Sequence, residues 1–271
     1  MANRLAKRLV IIVSVGLAGL LLYGLAIEPY WIEVRRVEVR DPFWGRALAG
    51  LKVVQVSDLH MRCIGRREAE VLRLVENLKP DLLLLTGDYV ASGGDYGAAL
   101  EFLSRLRARL GVWAVLGDVD YCSSRQTCLF CHEPGDKGPT HRHQVRFLTN
   151  QRVLLRPEGV DFYLAGIDPN NRYGKDKFRF DRPALVLIHD PMLYDKVQTD
   201  EPLLCLAGDT HGGQVWMPEA LWRSLNRPAR YKEGLYRRGN RMLYVNRGVG
   251  TRHLPLRLGE RPEITVFSFS R

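Results

Sequence analysis

Hydrophobic positions follow two regimes along this chain. Residues 9–27 (LVIIVSVGLAGLLLYGLAI) run for 19 positions without a charge, close to the ~20 predominantly apolar residues that a helix needs to cross a bilayer. From Leu51 onward, short apolar runs alternate with longer stretches of mixed polarity. Leu51 to Val56 predicts a first strand and Arg67 to Leu78 a helix. Asp81 to Leu85 is apolar almost throughout, as expected for a strand buried on both faces. A helix over Tyr96 to Leu110 and a strand over Val112 to Leu116 follow. Further strands are predicted over Phe162–Ala165, Ala184–Ile188, Leu203–Ala207, Met242–Val245 and Ile264–Phe269. This alternation is that of an α/β protein, and the short turns between several late strands predict a mixed sheet.

The expected organisation is a basic N-terminus over 1–8, a transmembrane signal-anchor over 9–27, a juxtamembrane segment over 28–50 and one domain over 51–271. Residues 121–143 break the alternation. The run Glu133-Pro134-Gly135-Asp136-Lys137-Gly138-Pro139 makes that segment a loop.

Length and composition fit this division. A chain of 271 residues, 46% hydrophobic, has material for one sizeable core plus a membrane segment. Arg4, Lys7 and Arg8 precede the apolar run, the layout of a signal-anchor or signal peptide, with Gly24-Leu25-Ala26 as a weak cleavage site. A buried core helix would carry a polar face, which this run lacks. Arg35, Arg36, Arg40 and Arg46 follow the segment, so the basic residues balance across it. The short basic leader points to a single-pass protein of the cell inner membrane with an extracytoplasmic domain. Net charge is +10, and ten basic residues between Arg223 and Arg257 face the single acid Glu233. A solvated basic surface and a patch for anionic headgroups or substrate both fit this excess. No nucleic-acid-binding module accompanies it, so nucleic acid is not an expected partner.

The polar residues that carry chemistry recur just past the ends of the predicted strands. Asp58-Leu59-His60 follows the first, Gly87-Asp88 the second and Gly117-Asp118-Val119-Asp120 the third. His189-Asp190 follows Ala184 to Ile188, and Gly208-Asp209-Thr210-His211-Gly212-Gly213 follows Leu203 to Ala207. Strand ends are where ligands bind in open α/β sheets. Carboxylates and imidazoles converging there need cations to neutralise them. Any one motif is weak, since a strand-end Asp is commonly a helix cap; the ordered set is strong.

That order resembles the calcineurin-like metallophosphoesterases, whose pattern is Asp-x-His, Gly-Asp, Gly-Asn-His-Asp/Glu, a His, and Gly-His-x-His. The resemblance runs from about Leu51 to the C-terminus. It is closest to the bacterial membrane-associated branch similar to UDP-2,3-diacylglucosamine pyrophosphatases. That comparison rests on Thr86-Gly87-Asp88, Thr210-His211-Gly212-Gly213-Gln214, Val245 to Thr251, Pro255-Leu256-Arg257 and Arg261-Pro262-Glu263-Ile264. The resemblance implies a four-layer sandwich of two mixed sheets flanked by helices, with a two-metal site at one end. By the same resemblance Asp58, His60 and His211 hold a first metal. Asp88 bridges, and His189 with Asp118 and Asp209 serves a second metal. Two-metal sites set the ions ~3.5–4 Å apart and activate water for in-line attack on phosphorus. Backbone amides of the Gly-rich turn after His211 are expected to help cradle phosphoryl oxygens.

Three departures change the expectation. Asp118 stands where the pattern has Asn, Asp209 where it has the first His of Gly-His-x-His, and Val119 where it has the leaving-group acid. Exchanging neutral ligands for carboxylates favours Mn or Mg, with Zn or Fe as alternatives. Four carboxylates roughly cancel two divalent ions and weaken the pull on phosphate. Val119 cannot donate a proton, a loss worth ~10²–10⁴ in rate. That favours anhydrides or activated diesters as substrates, including lipid-linked ones such as UDP-diacylglucosamine. The catalytic candidates are therefore Asp88 and His189, with His253 or Arg252 as replacement acid or charge stabiliser.

A second centre is suggested by Cys128-Leu129-Phe130-Cys131-His132, with Cys122, His141 and His143 nearby. Structural zinc, a disulfide, covalent haem c and a plain loop of free thiols are the readings its spacing leaves open, and no haem-packing elements can be named. Cys63 and Cys205 read as ordinary buried or near-site cysteines. The rival functions are a non-catalytic relative that binds a phosphorylated ligand in the same cleft and a haem or redox protein.

Overall fold

The computed structural model describes residues 2–91, 93–120, 143–168, 178–225, 230–252 and 254–271. It opens with α1 (Ala2–Ala26), whose apolar side chains from Leu9 to Leu22 are exposed, as expected for a helix whose partner is lipid. This helix ends on the globular part. The Gly24 carbonyl accepts the Arg257 amide at 2.9 Å. A Cβ on Gly24 would stand 2.8 Å from Leu256 Cδ1 and 3.0 Å from the Arg257 carbonyl, so only glycine lets the helix approach this closely.

Two six-stranded mixed sheets follow. The first has the spatial order β1 (Glu33–Arg40), β12 (Glu263–Ser270), β2 (Val53–Val56), β3 (Leu82–Thr86), β4 (Val112–Val115), β5 (Val145–Phe147). The second runs β10 (Gly234–Arg238), β11 (Arg241–Val245), β9 (Leu203–Ala207), β8 (Ala184–Leu187), β7 (Phe162–Gly166), β6 (Gln151–Leu155). Strands β2 to β5 are parallel to one another, as are β7, β8, β9 and β11. Residues 28–50, expected to be a juxtamembrane segment, thus contribute an edge strand. All eight residues of β1 pair in parallel with β12. After it, the short helix α2 (Trp44–Ala47) sinks Trp44 into the core edge-on to Phe162, ring centroids 5.5 Å apart.

Side-chain alternation builds the layers. Val53, Leu82, Leu84 and Val115 meet Leu164, Leu185, Leu187, Leu204 and Leu206 between the sheets. Val54, Val56, Leu83, Leu85 and Ala114 face α3 (Arg66–Leu78) and α4 (Tyr96–Arg105) on the other side. The outer face of the second sheet is covered by the 3-10 helix Pro191–Lys196 and by aromatic side chains, among them Phe178, Phe180 and Tyr231. This is the four-layer α/β sandwich. Helix α4 stops at Arg105, short of the Leu110 the apolar pattern predicts. Leu106 is already extended and Gly111, at φ 108°, turns the chain into β4.

The described part of the basic stretch is not one open patch. Lys232, Arg247 and Arg257 are buried. Arg247 bonds Glu263 at 2.7 Å and Glu33 at 2.6 Å, and Lys232 bonds Glu260 at 2.6 Å. Arg230 and Arg238 pair with Asp195. Interior carboxylates need these counter-charges, and they take much of the excess out of the surface.

Candidate metal centre

The two sheets bring the C-terminal ends of β2, β3, β4, β8 and β9 to one end of the molecule. The loops there place Asp58 and His60, Asp88, Asp118, His189, and Asp209 and His211 together. Backbone strain marks the place. Asp58, His60, Asp88, Asp209 and His211 are five of the eight described non-glycine residues with positive φ, from 43° to 70°. Such conformations cost ~1–3 kcal/mol each and persist where surrounding structure enforces them. Here the enforcing bonds join the loops: Asp58 N to the Gly87 carbonyl at 2.9 Å, His60 N to the Asp88 carbonyl at 2.9 Å and Gly250 N to the Asp58 carbonyl at 2.6 Å. Close approach requires glycine at 117 and 208. A Cβ would overlap the Asp88 carboxylate at the first and Ser57 Oγ and Asp58 at the second.

Two donor clusters result. In the first, His60 Nε2 is 3.0 Å from His211 Nε2, and His211 Nε2 is 3.6 Å from Asp58 Oδ1. In the second, His189 Nε2 lies 3.4 Å from Asp88 Oδ2 and 3.8 Å from both Asp118 Oδ1 and Asp209 Oδ1. Asp88 Oδ2 is also 3.3 Å from His60 Nε2, so one carboxylate oxygen faces both clusters. Asp58 is within reach of Asp88 and His189 as well.

The donor chemistry fits cations. His189 Nδ1 is 2.7 Å from the Thr86 carbonyl, which can only accept. Nδ1 therefore carries a proton, and Nε2 is the nitrogen turned to the carboxylates, free to ligate a cation that displaces its own proton. That Nε2 and Asp118 Oδ1 are both buried without a hydrogen-bond partner, a costly state that a divalent cation between them relieves. Burial pushes His60 down to about 4, and burial with the nearby His60 and Arg257 holds His211 well below the usual imidazole range. Both rings are neutral at pH 7, the ligating form. For His189, burial alone would lower the value, but Asp88, Asp58 and Asp209 raise it well above the ordinary one. Burial, together with Asp88, pushes Asp58 up to about 7 despite His189. These carboxylates draw positive charge, which a bound divalent cation would supply at neutral pH.

Asp120, quoted above only as part of the Gly117–Asp120 motif, has a role the sequence did not reveal. It accepts from the amides of Asp88 and Tyr89, each at 2.7 Å, and of Gly117 at 2.8 Å. It thus clamps the Asp88 loop to the loop after β4. Arg257 is a second such residue. Fully buried, it donates to the carbonyls of Arg247, Gly248, Gly250 and Glu260 and comes within 3.4 Å of His211 Nδ1. No local signal separates a buried Arg from a surface one. The amides after His211 do not meet the expectation of a phosphate cradle. Gly212 and Gly213 donate to Thr210, Gln214 to His211 and Val215 to Gly213, closing the turn on itself.

Beside His60 lies a cavity of about 540 Å³, lined by Tyr30, Arg66, Thr251, Arg252 and Pro255 among others. Cys63 opens onto it and Cys205 is buried. His253 and the candidates Cys122, Cys128, Cys131, His132 and His141 lie outside the described residues. His143 packs edge-on against Phe147, centroids 5.8 Å apart.

A family model described as calcineurin-like phosphoesterase matches residues 51–229. An uncharacterized metallophosphoesterase of Bacillus subtilis, YkuE, is 31% identical over 263 residues, 91% of this chain and 89% of that protein. The phosphodiesterase YaeI of Escherichia coli is 31% identical over 252 residues, 88% of each chain. The UDP-2,3-diacylglucosamine pyrophosphatase LpxG of Chlamydia muridarum is 27% identical over 283 residues, 83% of this chain and 85% of that one.

Proposed function

We propose that this chain, which belongs to the calcineurin-like phosphoesterase family, is a membrane-tethered hydrolase that uses two divalent cations to cleave a phosphoanhydride or an activated phosphodiester. The observation that carries the reading is the pair of donor clusters that meet at Asp88 Oδ2, 3.3 Å from His60 and 3.4 Å from His189. Asp58, His60 and His211 hold the first cation, and His189, Asp118 and Asp209 the second, with Asp88 shared. When bound, the cations supply an activated water and neutralise the phosphoryl oxygens. The protein fixes the ligands through strained loops and orients His189 by its bond to Thr86. The acid-rich donor set favours Mn or Mg.

The leaving group follows from residue 119. Its amide is 3.3 Å from Asp88 Oδ1, so the position borders the cluster, yet its side chain is a valine. A phosphate leaving group needs little protonation and an alkoxide needs much more. A lipid-linked pyrophosphate suits this site, as in the reaction the name of the chlamydial relative describes. The placement of the cavity supports it. Tyr30, just beyond α1, and Pro255, beside the Leu256–Arg257 stretch that holds α1, both line it. Leu254 and Trp31 stand exposed beside the foot of the same helix, at 64% and 53%. An amphiphile lying in the bilayer would present its phosphate at this level.

The test is hydrolysis of bis-p-nitrophenyl phosphate by the full chain in detergent, with added Mn and with bound metal quantified in the same samples. Turnover that depends on metal, at two ions per chain, is expected. Metal bound without turnover on so good a leaving group would favour the phospholigand-binding alternative. Val119→His is expected to raise the rate on alkyl phosphodiesters by ~10²-fold or more while changing the activated substrate little. Equal effects on both substrates would refute the assignment of residue 119.

A further inference from the structure

The two carboxylates that depart from the family pattern share a partner. Arg252 Nη2 is 3.5 Å from Asp118 Oδ2, and Arg252 Nη1 is 3.6 Å from Asp209 Oδ1. Asp118 reaches His189 Nε2 with its other oxygen and Asp209 with the same one, each at 3.8 Å. The Arg252 side chain is 42% exposed and lines the cavity beside His60, so it faces both the ligands and the space a substrate would enter. Its backbone is pinned. The Arg252 amide donates to Gln214 Oε1 at 2.6 Å, and Gln214 Nε2 bonds the Leu254 carbonyl at 3.3 Å and the Leu256 carbonyl at 3.0 Å.

We propose that Arg252 is the built-in counter-charge of Asp118 and Asp209, which loosens the hold of these carboxylates on the second cation and restores to the cleft the positive charge that attracts phosphate. The inference rests on the two-cation reading above. Asp58, Asp88, Asp118 and Asp209 carry four negative charges, which two divalent cations only cancel. Arg252 tips the balance to net positive at the side where the cavity opens. A guanidinium also matches two phosphate oxygens in its fork, whereas its ion pairs with the carboxylates exceed 3 Å and are partly open to water. An incoming phosphate therefore competes for a group that is poorly satisfied where it stands.

The proposal makes two affinities move in opposite directions. Without Arg252 the carboxylates act undiluted on the cation, and the phosphate loses its partner. A residue that merely latched the loop would weaken both. The experiment is calorimetric titration of the metal-free full chain with Mn, followed by inorganic phosphate binding to the Mn-loaded protein. In Arg252→Gln the second Mn is expected to bind about tenfold or more tightly, and phosphate about tenfold or more weakly. Arg252→Lys should fall between, keeping the charge but losing the fork. In an Asp118→Asn, Asp209→Asn background, Arg252→Gln should no longer tighten Mn. Mn and phosphate affinities both within twofold of wild type, or both weakened, overturn the proposal. A wild-type chain that binds fewer than two Mn overturns the two-cation reading on which it stands.

Discussion

Asp88→Ala is expected to lose at least ~10³-fold in Mn-dependent hydrolysis of bis-p-nitrophenyl phosphate, and to bind at most one cation. Substitutions in the shell around a metal already cost ~10–100-fold, and Asp88 is placed more centrally than that. One of its oxygens is 3.3 Å from the first cluster's His60 and 3.4 Å from the second cluster's His189, while the other accepts the Val119 amide at 3.3 Å. Its loss removes the shared donor and leaves His189 without its nearest carboxylate. The rise in Tm that Mn gives the wild type, a direct measure of binding to the folded state, should largely vanish. Retention of metal-dependent turnover within tenfold of wild type would mean that the chemistry does not run through the shared carboxylate.

Arg257→Ala is expected to damage the fold itself. The side chain is fully buried, and its Nη2 alone lies 2.7–3.0 Å from three backbone carbonyls, with Nη1 on a fourth at 2.8 Å. Burial, with Arg247 and Arg67 nearby, lowers it to about 9, so it remains largely protonated at pH 7. Truncation leaves those carbonyls unpartnered beside an empty volume, at a cost of about 3–5 kcal/mol. In a chain of this size that corresponds to a fall of roughly 6–15 °C in Tm, measurable by fluorescence-monitored melting of the detergent-solubilised protein. Arg257→Lys should recover part of it, since an ammonium can serve up to three acceptors. A melting point within about 2 °C of wild type would show that the loop carrying Arg252 and holding α1 does not depend on this residue.

Which parts of the fold could be read in advance follows a simple division. The strands anticipated from the sequence, β2, β3, β4, β7, β8, β9, β11 and β12, are the interior strands of the two sheets. The ones not anticipated, β1, β5, β6 and β10, are the four edges. An interior strand such as Leu82–Thr86 is buried at every position and is apolar in all but its last residue, which leaves a visible run. An edge strand such as β1, Glu-Val-Arg-Arg-Val-Glu-Val-Arg, shows polar side chains to water and reads as a linker. Only its pairing with β12, more than two hundred residues later in sequence, makes it part of the domain.

The candidate centre divides in the same way. Amino-acid order alone determined that Asp58, His60, Asp88, Asp118, His189, Asp209 and His211 would follow strand ends, because strand ends are marked by local changes from apolar to polar residues. It also determined the valine at 119 and the extra carboxylates, since identity needs no coordinates. Only the tertiary structure decided that Asp88 faces both clusters, that Asp120 works as a clamp and that Arg252 answers Asp118 and Asp209. It likewise decided that Lys232, Arg247 and Arg257 are interior counter-charges. The physical reason is range. Apolar periodicity and turn chemistry act between neighbours in the chain, whereas charge pairing acts between neighbours in space, and those are set only once two sheets have closed on each other.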